Sequence, residues 1–321
     1  MRPVVTTRKT FGRTVIEGRP RGTGPWSDSP RNRTRRAALY QATIRSLLVL
    51  LSSILLYPFL YCLSYSFSDS RQALFSDVVL LPVGFTFQNF FYLFANDAIL
   101  HSFLVSVLRT AAGIVWAITV TGLAAYAISK RTLPFNRLIA VFFVVPMFIS
   151  GGLLPTYVLM HDLHLFNNFL VYILPHGFWA FNMLLMRTYF DTIPVSLEEA
   201  SKMDGARDMR ILLQVVVPLS MPTISIVSVY VGVWHWNEWF EPLLYVTRNN
   251  LKPLQSILQR IITESMGSAL EAQSGRVTEH AVSPTSLQMA TLFVSSLPIV
   301  VLYPLFQKYF IQGTMIGAVK A

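Results

Sequence analysis

Charged residues are scarce in this chain. Asp, Glu, Lys and Arg make up 13% of its 321 residues while 53% are hydrophobic, against roughly 25% charge in a soluble domain. The shortfall lies in long apolar runs and not in a uniform dilution. That excludes an ordinary soluble domain and leaves an integral membrane protein, one domain of several helices, whose lipid-facing surface stands in for much of a core. Cysteine is nearly absent: Cys62 is the only one and lies inside the first apolar run. No intrachain disulfide can form, and the compartment is not legible from cysteine usage. The chain has no glycine-rich loop ending in Lys-Ser or Lys-Thr, so it is not itself a nucleotide hydrolase. No Ser/His/Asp set or carboxylate pair sits where a pocket would form. The six histidines, His101, His161, His164, His176, His235 and His280, are scattered without metal-ligand spacing. Internal repeats and inverted halves are not apparent. The first apolar run starts too late and is too long for a cleaved signal peptide.

Acids are especially rare near the N-terminus. Residues 1–45 hold eleven of the 26 Lys and Arg residues, opposed only by Glu17 and Asp28, so nearly all of the net charge of +10 sits there. The segment is rich in Gly, Pro, Ser and Thr, lacks helical periodicity and reads as a disordered basic tail. Without a folded basic face or aromatic platforms it does not read as a nucleic-acid binder. Its charge suits a cytoplasmic position beside anionic membrane lipid.

What the chain has in quantity is apolar length. Six segments reach the roughly 20 residues that cross a bilayer: 46–67, 100–129, 138–160, 169–189, 221–246 and 285–307. The second is long enough to tilt or emerge, and the fifth is interrupted by polar residues near its end. The connection between the second and third segments has Lys130, Arg131 and Arg137 and no acid. The loop 68–99 has Asp69, Asp77 and Asp97 against Arg71, and the connection between the third and fourth has Asp162 without Lys or Arg. The positive-inside rule then places both termini, and the connection between the fourth and fifth segments, in the cytoplasm. Pro58, Pro146, Pro155, Pro175, Pro298, Pro304 and Gly151-Gly152 mark expected kinks, which lipid tolerates only where neighbours or water take up the freed carbonyls.

The connection at 191–218 is charged and helix-favouring where a short turn would suffice. Ser196 followed by Glu199 forms a capping box, which predicts a helix over 196–204 with Glu198 and Glu199 near its positive end. Gly205 permits a left-handed turn. A second helix over about 206–216 follows, and Pro218 ends it before the fifth segment. Such a helix–turn–helix makes a rigid knob.

The string Glu199-Ala200-Ser201, three residues, Gly205, nine residues, Val215-Val216-Val217-Pro218 resembles the coupling loop of ABC importer permeases. The family pattern is Glu-Ala-Ala and Gly, then Ile, any residue, Leu-Pro at the same spacing; Ser201 and the valines keep size or apolarity. Asp204-Gly205-Ala206, Trp234-His235-Trp236-Asn237, Gly151-Gly152-Leu153-Leu154-Pro155 and the ending Tyr303-Pro304-Leu305-Phe306-Gln307-Lys308 resemble the carbohydrate branch. The likeness covers about residues 45–321. It implies an all-α membrane protein with the type I importer permease fold: six transmembrane helices, with a coupling helix between the fourth and fifth. In that family the loop seats in a cytoplasmic ATPase. Glu199 is then expected to pair with an ATPase arginine, Gly205 to set the turn, and Met203, Ala206 and Leu212 to make apolar contact, with Glu198, Ala200, Ser201, Asp204 and Pro218 completing the segment. The implied partners are a second, non-identical permease subunit, two ATPases that carry the ATP and Mg, and an extracytoplasmic solute-binding protein meeting the outer loops 68–99 and 247–284. The implied cargo is a carbohydrate, an oligosaccharide, crossing a bacterial plasma membrane by a path of which this chain forms half. No cofactor is expected on the chain itself.

For the path, Trp234, Trp236, Asn237, Glu238, Trp239, Phe240 and Glu241 close the fifth segment. Trp236, Trp239 and Phe240 fall on one helix face by i, i+3, i+4 spacing. Sugar C–H faces stack on aromatic rings, and hydroxyls need amide or carboxylate partners such as Asn237, Glu238 and Glu241. Packing, gating or an interfacial aromatic belt accounts for the same residues. Arg109, about two and a half turns into the second segment, has three readings: snorkelling to the surface, pairing with Glu238 or Glu241, or meeting an anionic sugar. An importer of another small solute would share the coupling loop. An ion-coupled secondary transporter would want mid-membrane acids and repeat symmetry.

Overall fold

The computed structural model describes residues 30–76, 79–95, 97–130, 132–149, 151–273 and 283–318. Residues 1–29 of the basic tail, Asp77, Arg131, His280 and the side chains of Leu305–Lys308 lie outside what it describes. All regular elements among the described residues are helical. The order begins with α1 (Pro30–Ser66), two short helices α2 (Ser70–Phe75) and α3 (Gln88–Phe94), and the long α4 (Asp97–Ser129). It continues through α5 (Asn136–Val144), α6 (Leu153–Asp162), 3-10 turns at Phe169–Tyr172 and Leu174–His176, and α7 (Ala180–Phe190). The connecting loop holds α8 (Val195–Met203), α9 (Asp208–Ile211), a π-helical turn at Leu212–Val216 and α10 (Val217–Leu219). Then come α11 (Met221–Asn237), α12 (Phe240–Tyr245), α13 (Leu254–Gln273) and α14 (Pro284–Ala318).

Contacts divide the chain into two units, 1–57 and 58–321. In the first, the helix starts at Pro30, so residues 30–45 are helical where composition suggested disorder. Ala37-Ala38-Leu39 and Gln41-Ala42 are strong helix formers, and proline is tolerated in a first turn. At 37 residues, α1 measures about 55 Å against a hydrocarbon core of about 30 Å.

Three helices among the described residues are long and apolar enough to span: Ala38–Ser66, Asp97–Ser129 and Pro284–Val301. Two bent pairs raise the number to as many as five: Phe169–His176 with Ala180–Phe190, bent by 50°, and Asp208–Leu219 with Met221–Asn237, bent by 83°. The expected third segment, 138–160, is not one helix. A 3-10 turn containing Pro146 (Val145–Met147) follows α5, and α6 starts at Leu153 after Gly152 at φ +84. Proline has no N–H for the ladder and glycine releases the backbone, so two breakers act within a few residues.

In the second unit α4 packs mainly on α7 and α11. The middle of its buried stripe is small or polar, with Ser102, Ser106, Gly113, Ala117, Thr121, Gly122 and Ala125, while Ile99 and Val105 at one end and Tyr126 and Ile128 at the other are large. Its exposed face carries Leu100, Leu104, Leu108, Val115 and Leu123. That inverts the soluble pattern: lipid is as apolar as leucine, so helices associate through small residues that let backbones approach. A core of Tyr126, Ile128, Met183, Phe190, Ile211, Leu212 and Val216 closes the loop-bearing end, and one of Leu93, Ile99, Trp236, Leu254 and Val294 closes the other.

Candidate functional site

The loop after α7 turns on a well-defined cap. At the end of α8 the N–H of Ala206 donates to Ser201 O (2.9 Å) and that of Gly205 to Lys202 O (3.0 Å), the paired bonds of a Schellman motif. Gly205 holds φ +78, which costs other residues about 1–2 kcal/mol. Lys202 Nζ lies 3.9 Å from Asp208 Oδ1 across the turn. The start of α8 differs from the expected capping box. Pro194 is the N-cap, no side chain caps the helix, and Ser196 lies inside the first turn. Proline presets its own φ, so the helix begins one residue early.

The two glutamates part company. Glu198 forms an ion pair with Lys130 at the end of α4, whereas Glu199 is exposed. Adjacent helical residues point about 100° apart, so one reaches the body and the other reaches solvent. Met203 stands 89% exposed at the tip, beside exposed Ala200 and Asp204. Leu212 does not join them: it is buried with Ile211 and Val216, and half-buried Ala206 packs against the same core. The expected second helix over 206–216 is α9 plus the π turn. Pro218 does not end it, because α10 runs to Leu219 and the sharp bend follows at Ser220. Pro218 offers no N–H, and the turn before it widens so that Val217 N–H bonds Leu212 O, as a π bulge permits.

At the far end of α4 the candidate path residues scatter. α11 ends at Asn237, Glu238 is extended, and α12 begins at Phe240. Trp236, Trp239 and Phe240 therefore share no helix face. Trp236 is buried, donates its indole N–H to Ser295 O at 2.9 Å and meets Phe103 edge-on. Asn237 bonds back to Val233 O. The Glu238 carboxylate accepts the N–H groups of Phe240 (2.8 Å) and Glu241 (3.0 Å), which is why the chain turns there. Trp239 and Phe240 are exposed and pack on each other.

Arg109 is 1% exposed and does not snorkel. It donates to the main-chain oxygen of Glu238 (3.0 Å), not to either carboxylate, and stacks 4.9 Å over the Tyr172 ring. Glu241 instead meets His176 Nε2 at 2.8 Å. His176 packs on Trp234 and lies 5.9 Å, ring to ring, from buried His235. A Cβ on Gly113 would fall 2.3 Å from His235 Nε2, so the glycine is what lets the His235 ring sit against α4 at this point. Among the described residues, Nε and Nη1 of Arg109 and both ring nitrogens of His235 lack a protein partner. The result is a cluster of buried donors and aromatic faces, suited to hydrogen bonding and without a nucleophile–base pair.

Sequence reasoning missed Tyr126, Lys130, Tyr172, His176 and His235 as site residues. Metal-ligand spacing does not single out the histidines, and His235 enters only within the Trp234–Asn237 string, although an ionisable group inside an apolar segment is itself a signal. Lys130 reads in sequence only as a cytoplasmic charge.

Comparison with known proteins completes the picture. A family model described as "binding-protein-dependent transport system inner membrane component" matches residues 113–316. The polygalacturonan/rhamnogalacturonan transport system permease protein YtcP of Bacillus subtilis is 31% identical over 283 residues, 88% of this chain and 98% of that protein. The trehalose transport system permease protein SugB of Mycobacterium tuberculosis is 28% identical over 293 residues, covering 89% and 98%. A chain from the crystal structure of a bacterial ABC transporter involved in import of the acidic polysaccharide alginate superposes with a TM-score of 0.77 at 28% identity, over 86% of this chain and 98% of that one. The chain thus belongs to the binding-protein-dependent transport system inner membrane component family, membrane-embedded, all-helical transport subunits with the type I ABC importer permease fold.

Proposed function

We propose that this chain is the permease subunit of an ATP-driven importer for a carbohydrate, an oligosaccharide, in a bacterial plasma membrane, and that α8 is the helix a cytoplasmic ATPase grips. The observation that carries this reading is the capped knob of α8, with Glu199 and Met203 exposed at its tip, in a chain without a nucleotide-binding loop of its own. ATP and Mg then belong to two partner ATPases. The basic residues support cytoplasmic termini and a cytoplasmic α8, and six crossings follow if α5 with α6 passes the membrane as a broken pair. A second, non-identical permease completes the path, and a solute-binding protein delivers cargo to the outer loops. The carbohydrate assignment rests on the relatives, whose names include polygalacturonan/rhamnogalacturonan and trehalose transport. Around the path, the buried set of Arg109, Tyr172, His176, His235 and Glu241 replaces the expected Trp236–Phe240 stripe as the group nearest the cargo route. Co-expression with candidate ATPase, second-permease and solute-binding subunits, followed by purification, tests the reading. A complex containing an ATPase, with ATP-dependent oligosaccharide uptake in proteoliposomes, is the expected result; uptake by the lone chain without ATP would overturn it.

A further inference from the structure

We propose that Lys130 and Tyr126 are positioning residues that fasten both arms of the coupling loop to α4, making α4 the strut that carries ATPase movement to the buried cluster around Arg109. This rests on the importer reading above and adds which contacts transmit the displacement. Lys130 Nζ is held from two sides, by the Glu198 carboxylate on α8 and by the Tyr126 ring 4.0 Å away. The Tyr126 hydroxyl donates to Asp208 O (3.3 Å), at the start of α9. One arm of the loop is thus tied by charge and the other by a hydrogen bond, and both ties end at the C-terminal end of α4, on Tyr126 in its last turn and on Lys130 just after it. That turn is itself secured: the Asn136 amide donates to Ile128 O (2.6 Å) and Lys130 O (2.8 Å).

An exposed ion pair would contribute little, but the Lys130 and Glu198 side chains are only 19% and 22% exposed, where screening is weaker. From this end α4 runs unbroken for about 24 Å to Gly113, against His235, and about 30 Å to Arg109, bonded to Glu238 O. A continuous helix transmits a push along its axis with little loss. The adjacent glutamates then divide the task, Glu199 facing the ATPase and Glu198 handing the motion to α4.

The test uses the complete reconstituted transporter with Lys130→Glu, Glu198→Lys, the double exchange, and Tyr126→Phe, which keeps the ring and removes the hydroxyl. Each charge reversal is expected to leave the ATPase bound but to raise the ATP hydrolysed per sugar imported about tenfold. Tyr126→Phe is expected to raise it about threefold, and the double exchange to return it close to the wild-type ratio. Single variants with the wild-type ratio, or a double exchange no better coupled than the singles, overturn the strut. A wild-type chain that binds no ATPase removes the importer reading instead, and the strut with it.

Discussion

Glu199 is the residue on which the coupling role is most exposed to test. It projects from α8 without the tie that holds Glu198. Glu199→Ala is expected to reduce ATP-driven uptake about tenfold, the loss of a charge-assisted contact, while the chain still inserts. Uptake assays with quantitative membrane blots decide it, and undiminished uptake refutes the assignment. Trp236 sits at the opposite extreme. Its indole N–H is bound within the bundle, so Trp236→Phe should lower the thermal midpoint of the purified complex by the equivalent of about 1–2 kcal/mol and leave the apparent affinity for sugar unchanged. A shifted affinity would return Trp236 to the path. Gly205 is legible in the sequence, because a glycine at the end of a short helix permits a left-handed turn, and its φ is +78. Leu212 is not. An apolar residue on an amphipathic segment reads alike whether it faces a partner or its own core, and here the core takes it.

At the level of elements, α4 shows why hydropathy located a span but not its packing. Its leucines face outward while Gly113, Ala117, Gly122 and Ala125 face inward, so the strongest apolar signal marks the lipid side. Gly113→Ala should drive a methyl into the His235 ring and destabilise the α4–α11 crossing by about 1–3 kcal/mol. Adding His235→Ala should recover much of that loss, and thermal unfolding of the detergent-purified complex measures both. The break after α11 was similarly hidden. The spacing of Trp236, Trp239 and Phe240 satisfies a helix, but it does not register that the Glu238 carboxylate captures the N–H groups of Phe240 and Glu241 and starts a new turn. Pro218 reads in sequence as a terminator, and a π turn ahead of it lets the helix run on.

The whole molecule exposes apolar side chains along much of α1, α4, α5 and α6, as lipid and a second subunit require. The proposed orientation is open to a direct check, because Cys62 is the chain's only cysteine. On a Cys62→Ser background, Met203→Cys should react with a membrane-impermeant maleimide in inside-out vesicles stripped of the ATPase and not in intact cells; labelling of intact cells would reverse the topology. The chemistry of single residues settled part of this protein in advance. Apolar length names a membrane chain, basic residues set its proposed sense, and the spacing from Glu199 to Pro218 marks the loop, because each depends on local composition or a short string. The tertiary structure alone decided that Lys130 ties down Glu198, that Arg109 meets a backbone oxygen and not an acid, and that His176 pairs with Glu241. Those partners lie dozens of residues apart, and only the crossing of α4 with α7 and α11 brings them within bonding distance.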